Sequence, residues 1–282
     1  MASNLRLLKL RIRTAHNIAQ IAKTLEMVSV AKIRRARTLV DTVMPYSKRI
    51  TALTDAVLRT LPPETPPHAY MGPSSSQTRL VIAIGPEKGL CGPLVSNLMR
   101  KLLELDDPRT LVVTVGKRME RVAMHLAESK LIASFPLGTL VPQYSLVYDV
   151  SRLADEMVMS GRAGSVELLH ARFVSVFSQV PTVERVIPLA PRAAPSSEIP
   201  PAFEPSSAAL LGALLPHYLE VRIFDAIVQA YTAEHAARMV AMQNAKNNAL
   251  DIGDSLTLAY NKTRQERITN EILDLANQGK IG

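Results

Sequence analysis

The run GPEKGLCG (85–92) follows a β-rich stretch, which is where a loop that cradles phosphate groups sits in nucleotide-binding folds. Its glycines, Gly85, Gly89 and Gly92, are spaced by four and three, so the run is not G-x-G-x-x-G. No Lys-Ser or Lys-Thr follows, so it is not a P-loop either. A tight turn into a helix is the preferred reading. Cys91 is the chain's single cysteine, which excludes an internal disulfide and a multi-cysteine metal site. His68, His125, His170, His217 and His235 are available as bases, but no nucleophile signature surrounds Cys91. A small buried thiol is the expectation. The histidines show no H-E-x-x-H or other ligand spacing, and the acidic residues form no paired-carboxylate constellation. The sequence therefore predicts no catalytic residue, no cofactor-binding residue and no metal ligand.

The elements that would have to position such residues are more informative. All 19 prolines lie between Pro45 and Pro216. Proline lacks a donor and clashes with the preceding helical turn. Two long proline-free ends therefore read as two long helices that bracket something else. Residues 1–50 hold eleven Lys or Arg against Glu26 and Asp41, and the rest of the chain sums to −1. The net charge of +8 thus belongs to the amino-terminal segment. Trp is absent and aromatic residues make up 4%, so the core must be aliphatic. One cysteine suits a reducing compartment. The start of the chain lacks the apolar core of a signal peptide. No window approaches the ~20 apolar residues that a membrane span requires.

The spacing predicts an amino-terminal helical arm over 1–60, with Ile18, Ile21, Ala22, Leu25 and Val28 as its apolar face and a kink or break at Pro45. Residues 61–77 read as a proline-rich linker. Residues 78–190 alternate short β-rich runs (79–85, 110–116, 130–135, 166–175 and 183–190) with helical runs (96–105, 117–129 and 145–161). That alternation predicts an α/β domain with a largely parallel sheet, closed by one antiparallel pair. Residues 191–207 form a second linker. Residues 208–282 carry a coiled-coil-like seam: Val221, Phe224, Val228, Tyr231, His235, Met239, Met242, Ala245, Ala249, Ile252, Leu256 and Ala259.

Four segments carry a resemblance. RIRTAHNIAQIAKTLEMVSVAKIRRAR (11–37), GLCG (89–92), FVSVFSQVPTVERVIPL (173–189) and EHAARMVAMQNAKNNALD with LAYNKTRQERITNEI (within 234–272) resemble the gamma subunit of F-type ATP synthase. The carboxy-terminal match is the most specific. The resemblance implies an α/β fold class: a long antiparallel coiled coil of the two terminal helices plus a central Rossmann-like α/β domain. It implies a non-catalytic central rotor shaft inside a hexamer of alternating alpha and beta subunits, above a membrane ring of c subunits and beside epsilon. Flow of protons or sodium ions would turn the ring and drive ATP synthesis or hydrolysis at beta. It places the chain peripherally on the cytoplasmic face of a bacterial plasma membrane, with no nucleic acid and no cofactor of its own.

Residue by residue, the resemblance implies that Arg264 and Gln265 hydrogen-bond a loop of beta, with Thr269 and Glu271 as neighbouring polar contacts. Leu25 falls near an acidic lever segment of beta, where Lys23, Lys32, Arg34 and Arg35 form a basic collar. Glu204 and Pro205 match a foot that meets the c ring and epsilon. The chain departs from the family around its loop. Pro86, Glu87 and Lys88 replace Ser-Asp-Arg, and Pro93, Leu94 and Val95 replace Gly-Phe-Asn. Two other readings compete. The basic arm suits a coiled-coil nucleic-acid-binding protein, whose affinity would fall steeply with salt. The alternating middle suits a Rossmann-like enzyme with helical arms, which would bind nucleotide at 85–92.

Overall fold

The computed structural model describes residues 2–62, 64–66, 68–72, 76–189, 203–204 and 206–278. The elements run α1 (Ala2–Arg59), β1 (Arg79–Ile84), α2 (Leu94–Leu103), β2 (Thr110–Val115), α3 (Lys117–Ala123), β3 (Lys130–Phe135), α4 (Ser145–Met159), β4 (Ser165–Ser175), β5 (Ser178–Ile187) and α5 (Ser207–Gln278). The second linker, 191–207, falls mostly outside the described residues, as does Pro205. Packing divides the chain into two compact units, residues 1–29 with 239–282 and residues 30–238.

The first unit is an antiparallel helix pair. Ala15, Ala19 and Ala22 of α1 are buried, as are Ala249 and Gly253 of α5. A Cβ placed on Gly253 would sit 3.8 Å from the Ala15 Cβ, ordinary contact distance, so the backbones run close together. Lys246 Nζ closes the seam on Glu26 Oε2 at 2.8 Å. This corrects the apolar face read for α1. Ile18, Ile21 and Val28 are 49%, 61% and 49% exposed, and the buried row is the small one. Small residues let two helices approach, and the larger apolar side chains are displaced to the outside. The α5 seam also shifts: it steps from Ala249 to Gly253, leaving Ile252 and Ala259 exposed.

The second unit is a five-stranded sheet ordered β3-β2-β1-β4-β5. β1 pairs in parallel with β2 and β4, β2 pairs in parallel with β3, and β4 pairs antiparallel with β5. The central strand shows why. Leu80, Ile82 and Ile84 alternate with Val81 and Ala83, and all five are fully buried, as a parallel strand covered on both faces requires. Leu80, Ile82 and Ile84 pack with Val147, Val150 and Ala154 of α4 and with Leu215, Ile223 and Ile227 of α5. Val81 and Ala83 pack with Leu94, Leu98 and Leu102 of α2 and Met119 of α3. The last pair is tighter than the sequence suggests, because β5 begins at Ser178 and leaves only Val176 and Phe177 between the strands.

Two details differ from expectation. α1 continues through Pro45 without a break. Both Pro45 and Asp41, whose carbonyl loses its usual donor, are exposed, so water can satisfy that carbonyl. α3 ends at Ala123, short of the helical run read to 129. The Asp106 carboxylate takes the backbone N–H groups of Ala127, Glu128 and Ser129, which bends the chain into β3. The stretch 61–77 also holds a core residue. Tyr70 is fully buried, donates its hydroxyl to Asp155 Oδ1 at 2.5 Å, and accepts the Leu189 N–H at 2.7 Å.

Candidate functional site

The crossovers on either side of β1 leave toward opposite faces of the sheet, α2 to one and α4 to the other. The carboxyl end of β1 is therefore the switch point at which open α/β sheets bind ligands. Loop 85–92 lies there. Its backbone needs special conformations, with Leu90 at φ +62° and Gly92 at φ +56°.

Part of what this loop would offer a phosphate is already engaged. α5 is buried on nearly every side from Asp225 to Arg238, and it brings Glu234 and Arg238 to the loop. The Glu87 N–H donates to Glu234 Oε2 at 3.1 Å. Arg238 donates Nη2 to the Lys88 carbonyl and Nε to the Gly89 carbonyl, each at 3.1 Å. The same guanidinium reaches Glu234 Oε1 at 2.5 Å and faces His235 Nδ1 at 3.1 Å. A carboxylate of the chain itself thus stands where a phosphate oxygen would accept the loop's N–H. Glu87 carries the network onward: its carboxylate accepts the Lys117 N–H that opens α3 and the Leu137 N–H.

The sequence singled out none of Glu87, Glu234 and Arg238 as a structural cluster, although the Glu-x-x-x-Arg spacing of 234 and 238 marks an i,i+4 ion pair. Cys91 is buried, and burial raises its thiol pKa, with Arg238 opposing the shift. It is a packed residue.

Two buried histidines, His235 in this network and His170 on β4, give the second unit a pH dependence. Burial first, then Arg238 and Lys32, push His235 down to about 3. Burial first, then Arg222 and Arg172, push His170 down to about 4. The unfolded chain takes up protons on these rings near pH 6.5, whereas the folded chain does not. Their contribution is complete above pH 6.5 and is lost as pH falls from 6.5 toward 3, on the order of 1 kcal/mol per pH unit for each ring. Urea midpoints between pH 7 and 4 should fall less steeply for His170→Gln with His235→Gln than for the parent. Parallel profiles would show that neither ring is held neutral.

The residues singled out by resemblance lie in both units. In the first, Lys23 is exposed and Leu25 half-buried on α1. Arg264 and Gln265 are exposed on α5, with the Thr269 hydroxyl bonded to the Gln265 carbonyl at 3.0 Å and Glu271 accepting from Arg267 Nε at 2.7 Å. The register set by Ala15 against Gly253 separates Lys23 and Leu25 from Arg264 and Gln265 by about 30 Å along the pair. In the second unit, Arg34, Arg35 and Glu204 are exposed. Lys32 is engaged: its ammonium donates to the Thr139 carbonyl at 2.6 Å, and its pKa is lowered by burial and then by Arg238.

The family model described as ATP synthase matches residues 4–277. An ATP synthase gamma chain of Dehalococcoides mccartyi (strain CBDB1) is 35% identical over 279 residues, covering 97% of each chain. One from Roseiflexus castenholzii is 34% identical over 278 residues, covering 95% of this chain and 94% of that one. Among solved structures, a chain of the Euglena gracilis mitochondrial ATP synthase in an OSCP/F1/c-ring map has the same fold. Its TM-score is 0.73 at 19% identity, covering 99% of this chain and 94% of that one.

Proposed function

This chain belongs to the ATP synthase gamma chain family, and we propose that it is the non-catalytic central shaft of an F-type ATP synthase. In this reading it couples ion-driven rotation of a c ring to ATP synthesis or hydrolysis at beta subunits. The observation that carries the proposal is the surface of the first unit. The helix pair seals its small residues inside and turns large apolar ones outward. Leu7, Leu10, Ile18, Ile21 and Val28 of α1 are 45–61% exposed and recur at spacings of three, seven or eight. A row of that size on a helix already packed on its other side calls for a surrounding apolar surface. A hexamer of alpha and beta subunits supplies one.

Arg264 and Gln265 then meet a loop of beta from the carboxy-terminal helix, with Thr269 and Glu271 beside them. Lys23, Arg34 and Arg35 face acidic segments of beta next to Leu25. Lys32 serves that collar indirectly, because its charge already holds the Thr139 carbonyl. Glu204 and Pro205 belong to the foot facing epsilon and the c ring. The assembly sits on the cytoplasmic face of a bacterial plasma membrane.

The test is coupled synthesis in inverted membrane vesicles carrying Arg264→Ala with Gln265→Ala. Each truncation removes hydrogen bonds at a contact desolvated by assembly, worth ~1–3 kcal/mol. Coupled synthesis and the yield of assembled complex should both fall. Unchanged synthesis and yield would remove these two residues from the drive contact.

A further inference from the structure

α2 and α3 lie side by side on one face of the sheet, and a groove of about 370 Å³ runs between them. Its floor is apolar. Val95, Met99 and Leu103 follow one another at four-residue steps along α2, and Val122 faces them from α3. Met99 is 40% exposed and Leu103 49%, so the floor is open to solvent. Its wall is basic, formed by Arg118, Arg121 and His125. Together α2 and α3 carry Arg100, Lys101, Lys117, Arg118 and Arg121 against the single acid Glu120. Among the described residues neither Arg118 nor Arg121 forms an ion pair. The Arg118 guanidinium lies against Gly89: a Cβ there would meet its Nη2 at 2.6 Å, so the glycine leaves it room.

We propose that this groove is a docking site for an acidic amphipathic helix of another protein chain. The α2 row spans about 12 Å, two helical turns, and that is the reach of apolar anchors at i, i+3 or i+4, and i+7 on a partner helix. The groove lies between helices, away from both sheet edges, so it offers no free backbone ladder to a strand. The unpaired arginines on one wall select carboxylates on the partner's flank and set its direction. The inference adds a partner to the rotor reading and does not depend on which subunit turns.

Photo-crosslinking in the intact assembly tests it, with a benzophenone amino acid at Met99 and sequencing of the linked peptide. The expected product joins Met99 to one segment of a different chain, net acidic, with apolar residues three and four apart. Arg118→Glu with Arg121→Glu should cut its yield about tenfold, and Arg118→Lys with Arg121→Lys should preserve it. Complex yield and circular dichroism of each variant report folding separately. Cross-links within this chain, to a second copy, to a basic or strand-forming segment, or to nothing would overturn the proposal. Purification of the chain without alpha and beta subunits would instead sink the rotor reading; the same cross-link to an acidic amphipathic segment of another chain in that preparation would still support the groove, and its absence there would overturn it.

Discussion

Replacing Arg238 with alanine is expected to lower the unfolding free energy by about 3–5 kcal/mol, the cost of breaking a buried pair by removing one partner. Glu234 is 3% exposed, and its Oε1 would lose a guanidinium 2.5 Å away. The carbonyls of Lys88 and Gly89 would lose their donors at the same time. Removing both charges separates the contributions. Glu234→Leu with Arg238→Met removes both charges of the pair; the two carbonyls lose their donors as in Arg238→Ala, and the one further loss is the acceptor of the Glu87 N–H, about 1–3 kcal/mol. The double variant should therefore be more stable than Arg238→Ala. Urea titration at constant m-value measures both. A loss below about 1 kcal/mol for Arg238→Ala would show that the loop does not depend on this cation.

The second large effect is expected at Gly116, where β2 turns into α3. Its φ is +102°, and a Cβ there would lie 2.2 Å from the Gly85 carbonyl oxygen. Neither side can yield. The Gly116 N–H is bonded to the Phe135 carbonyl at 2.8 Å, and the Gly85 N–H to the Val115 carbonyl at 2.9 Å, so both peptides are fixed by neighbouring strands. Gly116→Ala should cost more than about 3 kcal/mol, combining left-handed strain with a backbone collision. Gly138 is the control. It also has positive φ, at +77°, but opens onto empty space. Gly138→Ala should cost only the strain, about 1–2 kcal/mol. Equal losses at the two sites would mean that the Gly85 carbonyl moves aside.

Much of the fold was legible because its signals are local. Proline cannot be hidden inside most helices, so its confinement to the middle of the chain located α1 and α5. The runs at 79 and 110 are short and rich in β-branched residues, the run at 130 is short, and the helical runs between them are long enough for crossovers. The side of α1 that packs was misread for a physical reason. Periodicity analysis weights large apolar residues, but the first unit closes on Ala15, Ala19, Ala22 and Gly253, while Ile18 and Ile21 serve the outside. Two faces of one helix are patterned, and sequence alone does not say which is the inner one. The loop was harder still. That 85–92 is a turn into a helix followed from its glycine spacing, but its contacts are with residues about 150 positions away on α5. No local pattern announces a pairing of that separation. The i,i+4 spacing of Glu234 and Arg238 was visible, and its burial was not.

The engagement of loop 85–92 by Glu234 has a thermodynamic consequence. A cradle filled by a diffusing anion is ordered only to the extent that mass action fills it, so its stability rises and falls with the concentration of that anion. Here the filler is tethered to the same chain, and its effective concentration is set by the covalent path and the packing of α5. Dilution does not empty the site, and metabolite levels do not tune it. The end of β1 is thus held at constant occupancy, and its rigidity does not track the concentration of any diffusing ligand.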